Sequence, residues 1–444
     1  MDIHYIRQNH QTVKDNQQKR YGNVEIVDKI LSIDEEWRSN NYKADSMRKL
    51  KNGISACFKT APAISDITIN DEYTLDNLMT DINSSKIPLS NLTKDQLQLL
   101  GKYIGETISG LEKLCNKLLE DRDNLISTLG NFLHPDVVVS DNEENNKIIY
   151  ETGIPDELLS KPLNHIDLCE KLGFVDTDSG VMVSGNRGYF LTGMGVRLNL
   201  ALINYAMEFL EKKGYTLMGT PHTVNKELMS KITQLSEYEE TLYKLEGYDK
   251  FLIATSEQPL TAYFANKQVE KPKLPIKFAG LSPCYRKETG RHGVQTRGIY
   301  RVHQFEKVEQ FCVTEPEKSW DMFYEMMNTT REFYDSLGIK YRVISIVSGA
   351  LNNAGAMKYD LEAWFPGLKN YGELVSCTNC LDYFSKRIGT KIKNTKEYAH
   401  MLNCTLMANT RVICCLMEQY QTEDGMQVPE PLRKYLGCDK ILFR

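Results

Sequence analysis

Two stretches in the N-terminal third of the chain repeat apolar residues on alternating four- and three-residue steps. They cover residues 26–58 and 97–129. A seven-residue repeat with such a narrow apolar seam is typical of helices that pair as a coiled coil. We therefore predict two helical arms, whose seam residues are Ile26, Ile30, Ile33, Trp37, Ala44, Met47, Ile54 and Phe58 in the first and Leu97, Ile104, Ile108, Leu111, Cys115, Leu118, Leu125 and Leu129 in the second.

The two arms have similar lengths and are joined by a mixed connection, which predicts an antiparallel hairpin. At 1.5 Å per residue, an arm of about 33 residues would be about 50 Å long. Asn40 and Lys51 interrupt the first seam, and Gly101 and Arg122 interrupt the second. Two helices of a compact bundle are the alternative, but the narrow seams favour a hairpin that protrudes.

The pattern changes near residue 134, where a segment with Pro, Asn and acidic residues is typical of a linker. Beyond it, β-type runs follow one another with few helices between them, which indicates a largely antiparallel sheet. The predicted fold is α+β, with an N-terminal antiparallel helical coiled-coil hairpin over residues 1–135. Residues 136–444 form a second domain with a mainly antiparallel sheet flanked by helices. The predicted strands lie in YTLMGTPHTV, FLIATSEQPL, PIKFAGLSPCYRKE, GIYRVHQFEKVEQFCV, KYRVISIVS, MKYDLEAWFP and GELVSC.

Composition narrows the class of protein further. The chain has 444 residues, of which 41% are hydrophobic and 25% charged, as in ordinary soluble globular proteins. Its net charge of −5 gives no global basic field, although a local basic groove is possible. No apolar run approaches the roughly 20 residues of a membrane span, and the polar N-terminus is unlike a signal peptide.

Eleven cysteines, scattered and odd in number, indicate a reducing compartment with free thiols. Cys377 and Cys380 form the one close pair. A structural zinc site needs about four ligands, and no matching second pair follows, so we expect no zinc.

The segment 297–309 places charged and aromatic residues where a half-buried strand would place apolar ones. As a strand, it would point Arg301, His303, Phe305, Lys307 and Glu309 to one face. Cross-strand ion pairs could explain the charges but not the aromatic ring. A nucleotide site needs both, because cations bind phosphate and a ring stacks on a base.

The preceding strand and loop extend this candidate nucleotide site. Arg286 and Glu288 would share one strand face, where the carboxylate could accept hydrogen bonds from amino groups. The loop that follows is rich in glycine and carries Arg291, His292 and Arg297. We therefore predict that the hairpin formed by the two strands binds a nucleotide.

Three further groups suggest neighbouring parts of the site. Thr255 and Glu257 would share a strand face and could hold an α-ammonium group, although a solvated strand end is an equal alternative. Glu373 and Ser376 suit Mg²⁺ bound with a nucleotide, because this ion takes few protein ligands. Arg411 begins an apolar helix, where the dipole disfavours a cation unless an anion binds there as well.

In order along the chain, these segments resemble the class II aminoacyl-tRNA synthetases. GYTLMGTP, YRKE with RVHQFEKVE, and ANTRV are similar to the three motifs of that class. TSE, RGIYRVHQFEKVEQF, GELVSCTNC and LNCTLMANTRVICCLMEQYQ resemble, in order and spacing, the seryl-tRNA synthetases of the eukaryotic cytosolic type. The resemblance covers nearly the whole chain, and it implies a tRNA-binding coiled-coil arm followed by a class II catalytic domain.

The resemblance also implies roles for the matching residues. Arg286 and Arg411 would be catalytic through phosphate contacts, and Glu373 with Ser376 would bind the Mg²⁺ that accompanies ATP. The implied serine-binding residues are Thr255, Glu257, Glu309, Asn403 and Thr405, and the implied ATP-binding residues are Arg286, Glu288, Val302, Phe305, Glu373, Ser376 and Arg411.

The activity implied is that of a serine–tRNA ligase acting as a cytoplasmic homodimer without a membrane partner. Its substrates would be ATP, L-serine and tRNA(Ser), with tRNA(Sec) where that tRNA is present. A prolyl-tRNA synthetase is disfavoured, because too few residues follow Arg411 for the anticodon-binding domain of that family. The other alternative is a non-catalytic, synthetase-like scaffold, which would have no need of the site residues above.

The connection between the arms carries several carboxylates and Lys86 as its cation, and acidic groups repel the phosphates of tRNA. We therefore expect tRNA to contact the flanks of the arms instead. The flank cations are Lys43, Arg48, Lys49, Lys51 and Lys102.

Overall fold

The computed structural model describes residues 1–70, 73–155, 159–233, 241–288 and 298–444. The chain forms two compact units. The helical unit comprises residues 2–15 and 23–129, and the sheet unit comprises residues 1, 16–22 and 130–444.

Two long helices dominate the helical unit, as the seven-residue repeats predict. Asp34 on the first contacts Arg122 on the second, and Arg48 contacts Glu112, so the two helices run antiparallel. Thr93 and Gln96 form a capping box at the start of the second. The helices are α1 (Ile3–Gln8), α2 (His10–Lys19), which continues into the other unit, α3 (Glu25–Cys57), α4 (Leu75–Asn83) and α5 (Lys94–Thr128).

A buried ion triad explains one interruption of the apolar seams. Asp34 Oδ2 lies 2.6 Å from Arg7 Nε, and its Oδ1 lies 3.0 Å from Arg122 Nη1. The Asp34 side chain is 3% exposed and that of Arg122 is 10% exposed. Arg122 therefore occupies a seam position because a carboxylate on α3 compensates its charge.

The connection between α3 and α5 folds over the ends of both helices. Leu78, Met79 and Leu92 form a small apolar core with Ile54 and Leu97. Two of the acidic side chains described there have partners: Asp76 accepts from Tyr103 Oη, and Asp81 accepts from Tyr73 Oη and Lys86 Nζ. Asp71 and Glu72 lie outside the described residues.

The sheet unit is built on eight strands in the order β1-β10-β11-β12-β14-β9-β8-β4. All neighbours are antiparallel except β4 and β8, which confirms the prediction of a mainly antiparallel sheet. These strands are β1 (Lys147–Glu151), β4 (Thr216–Gly219), β8 (Ile276–Tyr285), β9 (Gln304–Thr314), β10 (Tyr341–Ser345), β11 (Met357–Phe365), β12 (Asn370–Asn379) and β14 (His400–Ala408).

Short strands and flanking helices complete the described part of this unit. The short strands are β2 (Val175–Asp176), β3 (Phe190–Leu191), β5 (Thr223–Asn225), β6 (Lys250–Leu252), β7 (Gln268–Val269), β13 (Lys391–Ile392), β15 (Gln421–Thr422), β16 (Gly425–Gln427) and β17 (Lys440–Leu442). The helices are α6 (His165–Leu172), α7 (Thr177–Ser184), α8 (Met194–Lys212), α9 (Lys226–Ile232), α10 (Glu257–Tyr263), α11 (Ser319–Ser336), α12 (Tyr383–Ile388), α13 (Asn409–Gln419) and α14 (Glu430–Leu436).

The main core packs α8, α11 and α13 against the sheet. Leu202 on α8, Phe333 on α11 and Ile413 on α13 are fully buried with Cys312 and Leu402 of the sheet. None of the described helices is long and apolar enough to cross a membrane.

Several predicted strands are wrong in part. The segment PIKFAGLSPCYRKE forms β8 only to Tyr285, so Arg286 and Glu288 do not share a strand face.

A second predicted strand becomes partly helical. The segment FLIATSEQPL continues β6 only to Leu252, and residues from Glu257 form helix α10. Pro259 is compatible with that helix because it lies in the first turn, where backbone N–H groups have no helical partner. Thr255 and Glu257 therefore do not share a strand face.

The strand predicted from residue 298 begins only at Gln304. Gly298 has φ of +63°, which makes a turn, and Ile299, Tyr300 and Val302 are all buried in an irregular segment. Their burial anchors this segment without a strand. Likewise, YTLMGTPHTV forms two strands, β4 and β5, with Pro221 between them. Helix α13 begins two residues before Arg411, which was predicted to be its first residue.

We predict that Asp34→Ala destabilises the α3–α5 pair by about 3 kcal/mol, because it removes the buried counter-charge of Arg122 and leaves only the exposed Asp123, 2.8 Å from Arg122 Nη2. Hydrogen exchange of the α3 and α5 amides in the whole chain measures this change. Asp45→Ala is the matched control, since Asp45 pairs with Arg48 at an exposed position on α3. Equal protection in the two variants would contradict the prediction.

The same triad predicts a dependence on pH. Burial raises the pKa of Asp34, but the hydrogen bonds from Arg7 and Arg122 outweigh it and hold that pKa below its ordinary value. The stability from this carboxylate is therefore present above about pH 4, the ordinary range of Asp in unfolded chains, and is lost as pH falls further. Exchange measured between pH 3 and 7 should show this loss in the wild type and not in Asp34→Ala.

Candidate active site

One face of the sheet carries polar side chains at its centre. Phe305, Lys307 and Glu309 alternate along β9 and share this face. Thr405 on β14 lies directly opposite Glu309, and its hydroxyl donates to Glu309 Oε2 at 3.0 Å. Lys307 Nζ lies 2.5 Å from the same oxygen. All three polar side chains are buried, so the sheet holds a satisfied charged cluster inside the protein.

Residues at the start of α10 lie beside this cluster. Asn403, two residues before Thr405 on β14, donates through Nδ2 to Glu257 Oε1 at 2.9 Å. Glu257 is the first residue of α10, and its backbone N–H contacts Thr255 Oγ1 at 3.3 Å. The five residues predicted to bind serine therefore lie together around β9 and β14, although Thr255 and Glu257 come from a loop and a helix.

Small residues on β8 let α10 approach the sheet. Gly280 lies opposite Glu309 in the strand register. A Cβ atom at Gly280 would come within 2.8 Å of both Ser256 Oγ and Leu260 Cδ1. A larger residue there would therefore move α10 and with it Glu257.

A second group of side chains surrounds Phe305. The Arg286 guanidinium lies 5.2 Å from the centre of the Phe305 ring, and its Nε donates to the Ala254 carbonyl at 3.2 Å. Arg301 Nη1 lies 2.8 Å from Glu288 Oε2. The pocket formed in this way is lined by Arg286, Glu288, Tyr300, Arg301, Val302, Phe305, Ala408, Thr410 and Arg411.

Arg411 completes the pocket from α13. Its Nη1 lies 3.0 Å from Glu373 Oε1 and 3.1 Å from the Glu373 carbonyl, and its guanidinium lies 5.1 Å from the centre of the Tyr300 ring. Tyr300 Oη donates to the same carbonyl at 2.8 Å. The buried Tyr300 thus helps to hold Arg411 in the pocket and Glu373 beside it.

The carboxylates of this pocket are held in their charged form. Burial raises the pKa of Glu373, but the attraction of Arg411 and Lys358 outweighs it and lowers that pKa to about 2. Burial also raises the pKa of Glu288, and the Arg301 contact outweighs it in the same way. Both groups are therefore ionised at neutral pH.

A β-bulge brings Glu373 and Ser376 to one face. In a regular strand, residues three apart point to opposite faces. Here Glu373 lies opposite Glu362 and Ser376 opposite Asp360, with a register shift at Leu361/Glu362. Because Asp360 and Glu362 are two apart and share a face, the bulge gives Glu373 and Ser376 a common face too.

Asp360 belongs to this group, although the sequence pattern did not indicate it. Ser376 Oγ donates to Asp360 Oδ1 at 2.6 Å, and Lys358 Nζ lies 3.4 Å from Asp360 Oδ2. Burial raises the pKa of Asp360 to about 6, against the opposing attraction of Lys358. The sequence signal was weak, because Asp360 is one acidic residue within a strand pattern.

The structure also describes residues to which the sequence assigned no role. His303 Nδ1 contacts the Arg286 carbonyl at 2.9 Å, which fixes the backbone beside Arg286. Cys404 is buried opposite Cys377 of β12, and its sulfur contacts Thr330 Oγ1 at 3.3 Å. Arg291, His292 and Arg297 lie outside the described residues.

Cysteines near the site are free thiols in the core. Cys380 accepts from Asn403 Nδ2 at 3.7 Å, and burial raises the pKa of the Cys380 thiol well above its ordinary value. Within the described ranges, no three His, Cys, Asp or Glu side chains are arranged to hold a metal ion.

Comparison with known proteins gives consistent matches over both units. Residues 1–101 match the family model of the seryl-tRNA synthetase N-terminal domain, and residues 241–420 match that of the tRNA synthetase class II core domain (G, H, P, S and T). The cytoplasmic serine–tRNA ligase of Dictyostelium discoideum is 43% identical over 97% of this chain and 91% of its own length.

Two solved structures are similar over nearly the whole chain. The cytoplasmic serine–tRNA ligase of Naegleria fowleri, in complex with AMP, is 44% identical with a TM-score of 0.86, covering 98% of this chain and 96% of its own. The seryl-tRNA synthetase of Pyrococcus horikoshii, complexed with ATP, is 33% identical with a TM-score of 0.86, covering 100% of both chains.

Proposed function

The chain belongs to the seryl-tRNA synthetase family and is a serine–tRNA ligase, and we propose that one face of its sheet holds the two substrates of the first reaction step side by side. Serine would occupy the cluster around Glu309, and ATP the pocket around Phe305. The observation that carries this proposal is the continuity of that face, since Phe305 and Glu309 are four residues apart on the same side of β9.

The Glu309 cluster has the chemistry that serine needs. A serine hydroxyl can donate to a carboxylate, and Glu309 with Thr405 would receive it. The α-ammonium group needs acceptors, which Glu257 and Thr255 supply, while Asn403 holds Glu257 in place at 2.9 Å. The carboxylate of serine would then point along β9 toward Arg286 and the nucleotide.

The Phe305 pocket has the chemistry that ATP needs. Phe305 would stack on the adenine beneath Val302, and Glu288 would accept from its amino group. Arg286 would bind the α-phosphate and Arg411 the γ-phosphate of a bent ATP. The two arginines can bind the phosphates, and the nearby ionised carboxylates of Glu288 and Glu373 can bind an accompanying cation.

We propose Glu373 and Ser376 as the ligands of the Mg²⁺ that accompanies ATP. The bulge gives them a common face, and Glu373 is ionised, which suits a hard cation that keeps phosphate oxygens and waters as its other ligands. The ion, when bound, would neutralise phosphate charge. Asp360 would orient the Ser376 hydroxyl, because it accepts that proton and leaves the oxygen lone pairs available.

The first step requires positioning more than proton transfer. The serine carboxylate attacks the α-phosphorus of ATP, giving seryl-adenylate and pyrophosphate. The carboxylate is already a nucleophile, so no protein base is needed, and charge neutralisation by Arg286 and Arg411 dominates. The 3′-terminal hydroxyl of tRNA then attacks the acyl carbon, which releases AMP.

The relatives carry the word cytoplasmic in their names, and the chain is a cytoplasmic enzyme. We expect a homodimer through the region of α8 and β4. Val196, Leu200 and Leu217 are large apolar residues that are exposed there, and clustered exposed apolar residues mark interaction surfaces.

For tRNA(Ser), we propose that the flanks of α3 and α5 make the contact. Lys43, Lys49, Lys51 and Lys102 are exposed on these helices, whereas Arg48 is engaged with Asp45 and Glu112. Cations on a helical surface bind phosphate with a strong dependence on salt.

We predict that Arg286→Ala lowers serine-dependent ATP–pyrophosphate exchange by a factor of about 100 or more, because it removes about 3 kcal/mol of transition-state stabilisation. Arg38→Ala, an exposed arginine of α3, is the control and should leave the exchange rate unchanged. Exchange near the wild-type rate in Arg286→Ala would rule out the phosphate role.

We predict that the wild-type enzyme activates serine over alanine by about 10,000-fold in kcat/KM, as expected for a site that binds a substrate hydroxyl. Glu309→Gln should lose most of this discrimination, and its KM for ATP should stay close to the wild-type value. The exchange assay with each amino acid measures both effects. Alanine activated as well as serine by the wild type would rule out Glu309 as the hydroxyl acceptor.

We predict that charge reversal of Lys43, Lys49 and Lys102 to Glu raises KM for tRNA and weakens its salt dependence, without changing ATP–pyrophosphate exchange. Reversal of three exposed lysines of the sheet unit, Lys161, Lys391 and Lys396, changes net charge equally and serves as the control. A KM for tRNA that responds equally to both sets would contradict the flank assignment.

A further inference from the structure

We propose that Lys307 is a positioning residue for serine selection, which acts by compensating the charge of Glu309. The inference rests on the proposed function, because Glu309 is assigned there to the serine hydroxyl. Lys307 Nζ lies 2.5 Å from Glu309 Oε2, and their side chains are 7% and 1% exposed. This lysine therefore ends inside the serine cluster and not in solvent.

The contacts of Glu309 explain why a cation is needed there. An ionised carboxylate at such depth is strongly unfavourable unless it is paired. Among the ion pairs of the described residues, Glu309 takes part in one, with Lys307. Thr405 also donates to Oε2, and Lys307 Nζ lies 3.4 Å from Thr405 Oγ1. Lys307 and Thr405 together hold Oε2, which leaves Oε1 for the hydroxyl of the substrate.

The geometry of β9 makes this arrangement rigid. Lys307 and Glu309 are two residues apart in a strand paired on both sides, with Ser282 of β8 opposite Lys307 and Gly280 opposite Glu309. Lys307 therefore reaches Glu309 along the strand, and the pair does not depend on a loop.

A role in selectivity follows from this charge pair. Without the lysine charge, Glu309 would lose its ion-pair partner at a buried position, and a rotation of its side chain away from Thr405 would weaken it as a hydroxyl acceptor. Serine should then lose binding that alanine never had. The variant should become less selective, while the ATP pocket around Phe305 should keep its affinity.

A direct contact between Lys307 and the serine carboxylate is the competing explanation, and it predicts a different result. If Lys307 acts through Glu309, the two side chains form one functional unit, and their substitutions are strongly non-additive. If Lys307 binds the substrate carboxylate by itself, the effects of the two substitutions add. The double-mutant cycle separates the two cases.

The experiment uses the full chain with Lys307→Met, Glu309→Gln and the double variant. We expect Lys307→Met to raise KM for serine by roughly 100-fold, as for the loss of one partner of a buried ion pair, with KM for ATP within about 3-fold of wild type. In the Glu309→Gln background, the same substitution should add less than about 3-fold. Lys307→Arg should recover most of the selectivity between serine and alanine.

Lys277→Met is the matched control. Lys277 lies on β8 outside the Glu309 cluster, and its Nζ is 2.5 Å from Glu325 Oε1. Its KM for serine should not change. Circular dichroism and thermal melting verify folding, and Lys307→Gln, which keeps a hydrogen-bond donor without the charge, carries the same test if Lys307→Met does not fold.

The outcomes separate the inference from the proposed function. A wild-type KM for serine in folded Lys307→Met or Lys307→Gln, or additive effects in the cycle, would overturn the inference. If Glu309→Gln abolishes selectivity and Lys307→Met leaves it intact, only the inference fails. If neither variant alters serine binding or selectivity, the serine assignment of Glu309 itself is wrong.

Discussion

Compensation of buried charge is the constraint on which the active-site face depends. Four carboxylates lie at or near that face, and each has a cation within 3.4 Å: Glu309 with Lys307, Glu288 with Arg301, Glu373 with Arg411, and Asp360 with Lys358. The side chains of Glu309, Glu288 and Asp360 are at most 8% exposed, and an unpaired ion at such depth would oppose folding, whereas the Glu373 side chain is 44% exposed. Because each pair is satisfied within the protein, the face can remain polar and still lie inside a packed domain.

The sheet supports this polar face in two ways. Its other face packs on α8, α11 and α13, whose buried residues form the main core. Bulges in β12 and β14 adjust the direction of side chains that a regular strand would separate. The candidate site residues of β9, β12 and β14 therefore lie on paired strands, which hold side chains more firmly than loops do. Helix α10 adds Glu257 because Gly280 allows its close approach.

The helical unit also pairs a buried charge with an opposite one. Its arms are held by an apolar seam, and the charged residue that interrupts the second arm is matched by Asp34 on the first. Its exposed lysines are left to the solvent. We propose that the two units have different roles: the lysines of the helical unit would bind phosphate on a surface, and the sheet unit would bind the small substrates in a pocket lined by compensated charges.

The sequence by itself determined the two helical arms, the mainly antiparallel sheet, and the residue types of the site. These features follow from local periodicity and from side chains whose chemistry suits phosphate, base and amino acid. The tertiary structure decided that Thr255 and Glu257 come from a loop and a helix, and that Glu373 and Ser376 share a face. It also decided that Asp360 contacts Ser376 and that Lys307 pairs with Glu309. Strand register, a bulge and the pairing of buried charges bring together residues far apart in sequence, and local pattern carries no information about such contacts.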